Sequence, residues 1–165
     1  MEIINKASSL GITLLLVVGF VSCDSKAVFD RYISLENAVW KNNKPAEFQF
    51  TISDTISKHN LFINLRNNND YEFSNLYLIT TLNLPDNTKI IDTLEYEMAD
   101  ASGQFLGNGF TEIKENKLFY KEQKVFQNSG EYSVEISQAM RKNGAVNSLE
   151  NLLGISDVGF RIEKN

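Results

Sequence analysis

From Glu47 onward, apolar residues fall at every second position, the spacing that puts alternate side chains on one face of a β-strand. Phe48, Phe50 and Ile52 share a face of EFQFTIS, and Leu61, Ile63 and Leu65 share one in NLFINLR. The polar cluster at 67–70 turns the chain before SNLYLITTLNL, where Leu76, Leu78, Leu82 and Leu84 align. Pro85, Asp86, Asn87 and Thr88 then form a turn in which proline's fixed φ is useful. KIIDTLEYEM returns as the next strand, so the pair predicts a hairpin. Farther on, GEYSVEISQAM alternates through Tyr132, Val134 and Ile136. Asn143-Gly144 is a tight-turn dipeptide, and DVGFRIE closes with Val158, Phe160 and Ile162.

This pattern predicts about seven or eight strands, with only residues 148–153 suited to a helical turn. Strands joined by short polar turns pair antiparallel, and two stacked sheets allow each to bury one face. The predicted fold is therefore all-β, an antiparallel two-sheet β-sandwich with Phe48, Phe50, Leu61, Ile63, Leu65, Val134, Ile136, Val158 and Phe160 in its core. Ser129-Gly130-Glu131-Tyr132 has the form of a strand start at which a tyrosine hydrogen-bonds back to the chain. Residues 24–44 lack sustained alternation and end in the turn cluster KNNKP, so they read as a tether, with the sandwich domain at 45–165. Trp40 is expected to cover the edge of the core.

The N-terminus follows another pattern. Lys6 precedes an unbroken stretch of apolar, Gly and Thr residues from Leu10 to Val21, shorter than the roughly 20 residues a membrane-spanning helix needs. Residues 1–22 read as a signal peptide. Its end, Phe20-Val21-Ser22-Cys23, has the form of a bacterial lipobox, with Phe20 in place of the usual Leu. Cys23 is the sole cysteine, so no intramolecular disulfide can form, and acylation explains a lone thiol in an exported chain. Two or three acyl chains, at about 0.8 kcal/mol per buried methylene, anchor a protein stably. The lipidated N-terminus and tether then occupy 23–44.

Charge narrows the function classes. With 16 Lys+Arg against 21 Asp+Glu, the net charge of −5 and the absence of a basic cluster argue against nucleic acid as a partner. Catalytic candidates are few. His59 is the sole histidine, which rules out a multi-histidine metal site; no G-x-S-x-G elbow accompanies it, and it reads as a solvated loop residue. Glu95 and Glu97 share a strand face with Asp100 just beyond, the kind of pairing a glycosidase or calcium site uses and also what the wet face of a strand supplies unaided. NNND lacks the remainder of an EF-hand loop, and GNGF at 107–110 lacks the third glycine or the Lys-Ser/Thr of a phosphate loop. KENKLFYKEQK reads as a solvated edge whose mixed charge discourages strand-to-strand aggregation, with a partner surface as the alternative. No catalytic, cofactor-binding or metal residue is assigned; Cys23 is the one site residue.

The phrases NLFINLRNNNDYEFSNLYLIT, DTLEYEMAD, GNGFTEIKENKLFYKE, SQAMRKNG and GISDVGFRIEK resemble the gliding-motility lipoprotein GldH family of the Bacteroidota, from about Phe29 to Lys164. The resemblance implies a noncatalytic lipoprotein of the envelope machinery for gliding, a machinery tied to type IX secretion, with other envelope proteins of that machinery as partners and the membrane reached through Cys23. It carries no active-site motif. A carbohydrate-binding module is the alternative, with Trp40, Tyr71, Phe73 and Tyr120 as a sugar platform; a hydrolase using Glu95 and Glu97 is a third. Surface-exposed lipoproteins of related bacteria carry an acidic run after the cysteine. Here Asp24 is followed by Ser25 and Lys26, so the expected location is the periplasmic side of the outer membrane.

Overall fold

The computed structural model describes residues 26–165. The expected signal peptide and Cys23 lie outside the described residues. Ten strands follow one another: β1 (Ala27–Ser34), β2 (Val39–Lys41), β3 (Ala46–Ile52), β4 (His59–Asn67), β5 (Asn75–Asn83), β6 (Lys89–Glu97), β7 (Lys114–Lys124), β8 (Gly130–Gln138), β9 (Asn151–Leu153) and β10 (Ile155–Lys164). A 3₁₀ turn at Glu36–Ala38 separates β1 from β2.

Two four-stranded sheets, ordered β1-β10-β4-β7 and β3-β8-β5-β6, are antiparallel throughout, and β2 pairs with β9 separately. This is the all-β sandwich that the alternation predicts. All nine expected core residues are buried, along with Ile52, Leu76, Leu78, Leu82, Tyr132 and Ile162. The hairpin forms as read: Leu84 N–H donates to the Thr88 carbonyl at 2.9 Å, and Asp86 Oδ1 accepts from Thr88 N–H at 2.9 Å. Tyr132 donates its hydroxyl to the Asn128 carbonyl at 2.7 Å, the corner expected from its position after Gly130.

The stretch read as tether is largely strand, so the sandwich begins at Ala27 rather than at residue 45. β1 pairs along its length with β10, but a register shift between Ala27 and Phe29 and the exposed Arg31 interrupt its alternation. Phe29 and Ile33 nonetheless pack on the core, Phe29 lying 5.5 Å from Phe50 between ring centroids. Residues 148–153 do not form a helical turn. There β9 pairs with β2, placing Leu152 opposite Trp40, both fully buried. Trp40 thus closes the core as expected.

Gly154 makes this closure possible. Its φ is +83°, and a Cβ there would lie 2.2 Å from the backbone nitrogen of Tyr71. Only glycine takes that conformation at so close an approach without strain. Its N–H donates to the Ala38 carbonyl and its own carbonyl accepts from Asn68 N–H, each at 2.9 Å, so one residue joins three loops.

The registers give the sandwich two distinct ends. At one lie the start of β1, the end of β10 and the short connections 53–58, 84–88 and 125–129; at the other lie the longer segments 68–74, 98–113 and 139–150 together with β2 and β9.

Candidate functional site

Glu95 and Glu97 occupy the outer face of β6, as their spacing predicts, opposite Tyr77 and Asn75 of β5. Glu95 Oε1 accepts from Asn75 Nδ2 at 3.2 Å. The Tyr77 hydroxyl and the Asn75 amide hold its carboxyl below the ordinary glutamate range, so at neutral pH it is a carboxylate rather than a proton donor. Asp100 builds a turn: its Oδ1 accepts from Ser102 Oγ at 2.6 Å, Ser102 N–H at 2.8 Å and Gln104 N–H at 2.9 Å. Asn68 does likewise, accepting from Asp70 N–H at 3.0 Å, which makes NNND a turn. Among the described residues, no group of three or more His, Cys, Asp or Glu is placed to hold a metal ion.

An open groove of about 1310 Å³ runs along this outer face toward the loop at 139–144. Tyr77, Ile79 and Met140 supply apolar lining; Glu95, Glu97 and Arg141 supply charge. No motif in the sequence marks it. Its one signal was the presence of Tyr77 and Ile79 at the outward positions of β5, where the alternation otherwise places Asn75, Thr81 and Asn83.

His59 is not a solvated loop residue. It is the first residue of β4, shares the core-facing parity of Leu61, Ile63 and Leu65, and is 1% exposed. Its ring meets Phe126 edge-on at 5.5 Å, and Nδ1 has no hydrogen-bond partner among the described residues. A fully buried histidine set edge-on against a phenyl ring is a packing residue in this setting, out of reach of Glu95 and Glu97 on the opposite sheet's outer face.

The aromatic residues proposed as a sugar platform are also absorbed by the fold. Trp40, Tyr71 and Tyr120 are buried and Phe73 is half-buried; Tyr71 and Phe73 meet edge-on at 65° rather than lying coplanar. Tyr71 donates its hydroxyl to the Asn75 carbonyl at 2.6 Å. A coplanar exposed patch is what stacking on a sugar ring requires, and these four side chains do not form one.

KENKLFYKEQK is β7, an edge strand of its sheet, as its mixed charge suggested. Outward from it, Lys117 Nζ lies 4.1 Å from the ring centroid of Phe62 and bonds Glu163 at 2.7 Å. Arg66 lies 4.5 Å from the Tyr32 centroid and bonds Glu115 at 3.0 Å. Burial and the Glu115 carboxylate push the Tyr32 phenol up to about 12. Tyr32 lies flat across Gly159, where a Cβ would approach its ring to 2.8 Å.

Residues 27–162 match the family described as GldH lipoprotein. The chain is 47% identical over 161 residues to the "Gliding motility lipoprotein GldH homolog" of Christiangramia forsetii, covering 98% of each chain. It is 48% identical over 154 residues to the "Gliding motility lipoprotein GldH" of Flavobacterium johnsoniae, covering 93% of this chain and 95% of that one. Among solved structures, the VP2 subviral particle of infectious bursal disease virus aligns with a TM-score of 0.35 and 17% identity, over 86% of this chain and about a third, 34%, of the viral one. With its sandwich matched from Ala27 to Ile162 and two full-length relatives near half identity, the chain belongs to the GldH lipoprotein family.

Proposed function

We propose that this protein is a noncatalytic envelope lipoprotein required for gliding, anchored through acyl chains on Cys23 to the periplasmic side of the outer membrane. Its sandwich there helps to assemble or stabilise the gliding and type IX secretion apparatus through contacts with other envelope proteins. The observation that carries this reading is the identity of 47–48% with relatives named for gliding motility, sustained over nearly the whole chain. The placement of the candidate catalytic groups supports it. His59 is in the core, Glu95 and Glu97 are on an outer face, and Asp100 is occupied by its turn.

The test is colony spreading and single-cell movement in strains expressing variants at equal levels. Deletion is expected to abolish movement, and Cys23→Ser to do the same by removing the anchor. Glu95→Gln and Glu97→Gln are expected to leave movement intact, because loss of a general acid or base would lower a rate by about 10²- to 10⁴-fold, whereas loss of an exposed charge from a scaffold does not. Arrest of movement by a folded, abundant Glu95→Gln protein would replace this reading with an active-site model. Metabolic labelling with a fatty-acid analogue tests Cys23 directly.

A further inference from the structure

If Cys23 carries the lipid, the shortness of the chain between it and the fold decides how the domain stands. Three residues, Asp24, Ser25 and Lys26, separate the cysteine from β1 at Ala27. Fully extended, the four Cα steps from Cys23 to Ala27 reach about 14 Å. The interfacial zone on each side of a hydrocarbon core is itself about 5–8 Å deep. The end of the sandwich at which β1 starts is therefore held at the headgroups, and the other end, with the loops at 98–113 and 139–150, points away.

The side chains at the held end suit that position. Ile56, at the tip of the 53–58 connection, is 87% exposed, and Val28 at the start of β1 is 48% exposed. A continuous chain of bonds ties this tip to the anchor's exit. Lys164 N–H donates to the Lys26 carbonyl at 3.0 Å; Lys164 Nζ bonds Asp54 Oδ2 at 2.8 Å; Asp54 Oδ1 accepts from Ile56 N–H at 3.0 Å and Ser57 N–H at 2.9 Å. The loop thus presents Ile56 on a braced turn beside the point where the lipid-bearing segment leaves. Lys26, Lys58, Lys124 and Lys164 emerge at the same end of the β1-bearing sheet, against Asp54, paired with Lys164, Glu163, paired with Lys117, and Glu122; Asp86 and Glu131 lie at the corresponding end of the other sheet. Lysine stems with an aliphatic tip between them are the composition of an interfacial contact.

We infer that the 53–58 connection, through Ile56 and with Val28 beside it, rests in the lipid interface of the membrane that bears the Cys23 anchor, fixing the sandwich upright on the bilayer. This rests on the proposed acylation of Cys23, and the experiment separates the two. The acylated protein is isolated from cell membranes as wild type, Ile56→Trp and Phe110→Trp, its lipid is verified by mass spectrometry, and each is reconstituted into phosphatidylethanolamine–phosphatidylglycerol vesicles with brominated acyl chains. Both substituted sites are exposed, so neither change disturbs the core, and buried Trp40 supplies the wild-type baseline. The expected result is at least twofold quenching of the added fluorescence for Ile56→Trp and none for Phe110→Trp, at the far end. Acylated, vesicle-bound protein in which Ile56→Trp is unquenched, or in which Phe110→Trp alone is quenched, overturns the orientation and leaves the anchor intact. A mature protein without lipid on Cys23 overturns the anchor and the inference together.

Discussion

On one flank of the sandwich, where β6 and β7 are the edge strands, the sheets are joined by hydroxyls and charges; on the other, where β1 faces β3, they are joined by phenyl rings. On the first, Tyr96 donates to the Phe119 carbonyl at 2.6 Å, Tyr120 donates to Asp92 Oδ2 at 2.9 Å, and Lys121 Nζ bonds the same oxygen at 2.9 Å. On the second, Phe29, Phe50 and Phe160 sit 5.5–6.3 Å apart between centroids. On the β6–β7 flank the Tyr96 bond occupies one edge carbonyl, that of Phe119, and Asp92 and Lys121 put charge along the edge, which discourages a foreign strand. The β1–β3 flank uses area removed from water and leaves strand backbone along β1 and β3 without a neighbour in either sheet. Stability and protection of the edge are thus supplied at different places by different residues.

The comparison breaks most visibly on the phenyl side. Phe50→Ala is expected to lower unfolding free energy by about 3–5 kcal/mol, measured by urea denaturation, since Phe50 contacts Phe29, Phe126, Tyr132 and Phe160 at once. Phe29→Ala should cost less, because Phe29 is only half-buried, and should loosen β1 first, read as faster amide exchange along β1 than along β4. On the stitched flank, Tyr96→Phe and Tyr120→Phe each remove one hydrogen bond and should cost about 0.5–1.5 kcal/mol.

The hydroxyl flank should also respond to pH, in the same alkaline range as Tyr32 of β1. Burial, with Asp92 nearby, pushes the Tyr96 phenol up to about 12, and burial pushes that of Tyr120 higher still. The folded state holds phenolic protons that the unfolded chain releases near pH 10, so stability falls as pH rises from about 10 through 12. That loss should shrink in a Tyr96→Phe/Tyr120→Phe double variant and persist in Phe29→Ala. In acid the sign reverses. Burial raises the Asp92 carboxyl, but Lys121 and Tyr120 outweigh it and hold it below the ordinary range. Its contribution is present above the ordinary aspartate pKa and is lost as pH falls through the depressed value. The smallest effect is expected away from both flanks, where Glu97→Gln on the outer face of β6 should change stability by no more than about 0.5 kcal/mol.

The same contrast explains what the sequence could show. Long strands with one wet face, β3, β5, β8 and β10, announce themselves by period two, and their core residues are where the alternation puts them. β1 does not, because its register shifts between Ala27 and Phe29 and the exposed Arg31 then interrupts the face shared by Phe29 and Ile33. β2 and β9 are three residues each, too short to show any period, and exist because Gly154 lets their loops meet. The polar neighbours of His59 in ISKHN point to a loop, whereas its burial depends on the strand that follows. The groove beside Glu95 and Glu97 depends on residues 139–144, far away in sequence, and no local pattern brings them together.

The place of β10 bears on the order in which the molecule can form. It lies between β1 and β4, so the earliest strand to leave the ribosome or a membrane pore pairs only with the latest. Contacts this distant along the chain form slowly. While β10 is still missing, β1 has no partner and β4 lacks one of its two neighbours. A chain that emerges N-terminus first therefore carries β1 as an unpaired strand until its last segment arrives, so the closing of the sandwich waits on the very end of the chain.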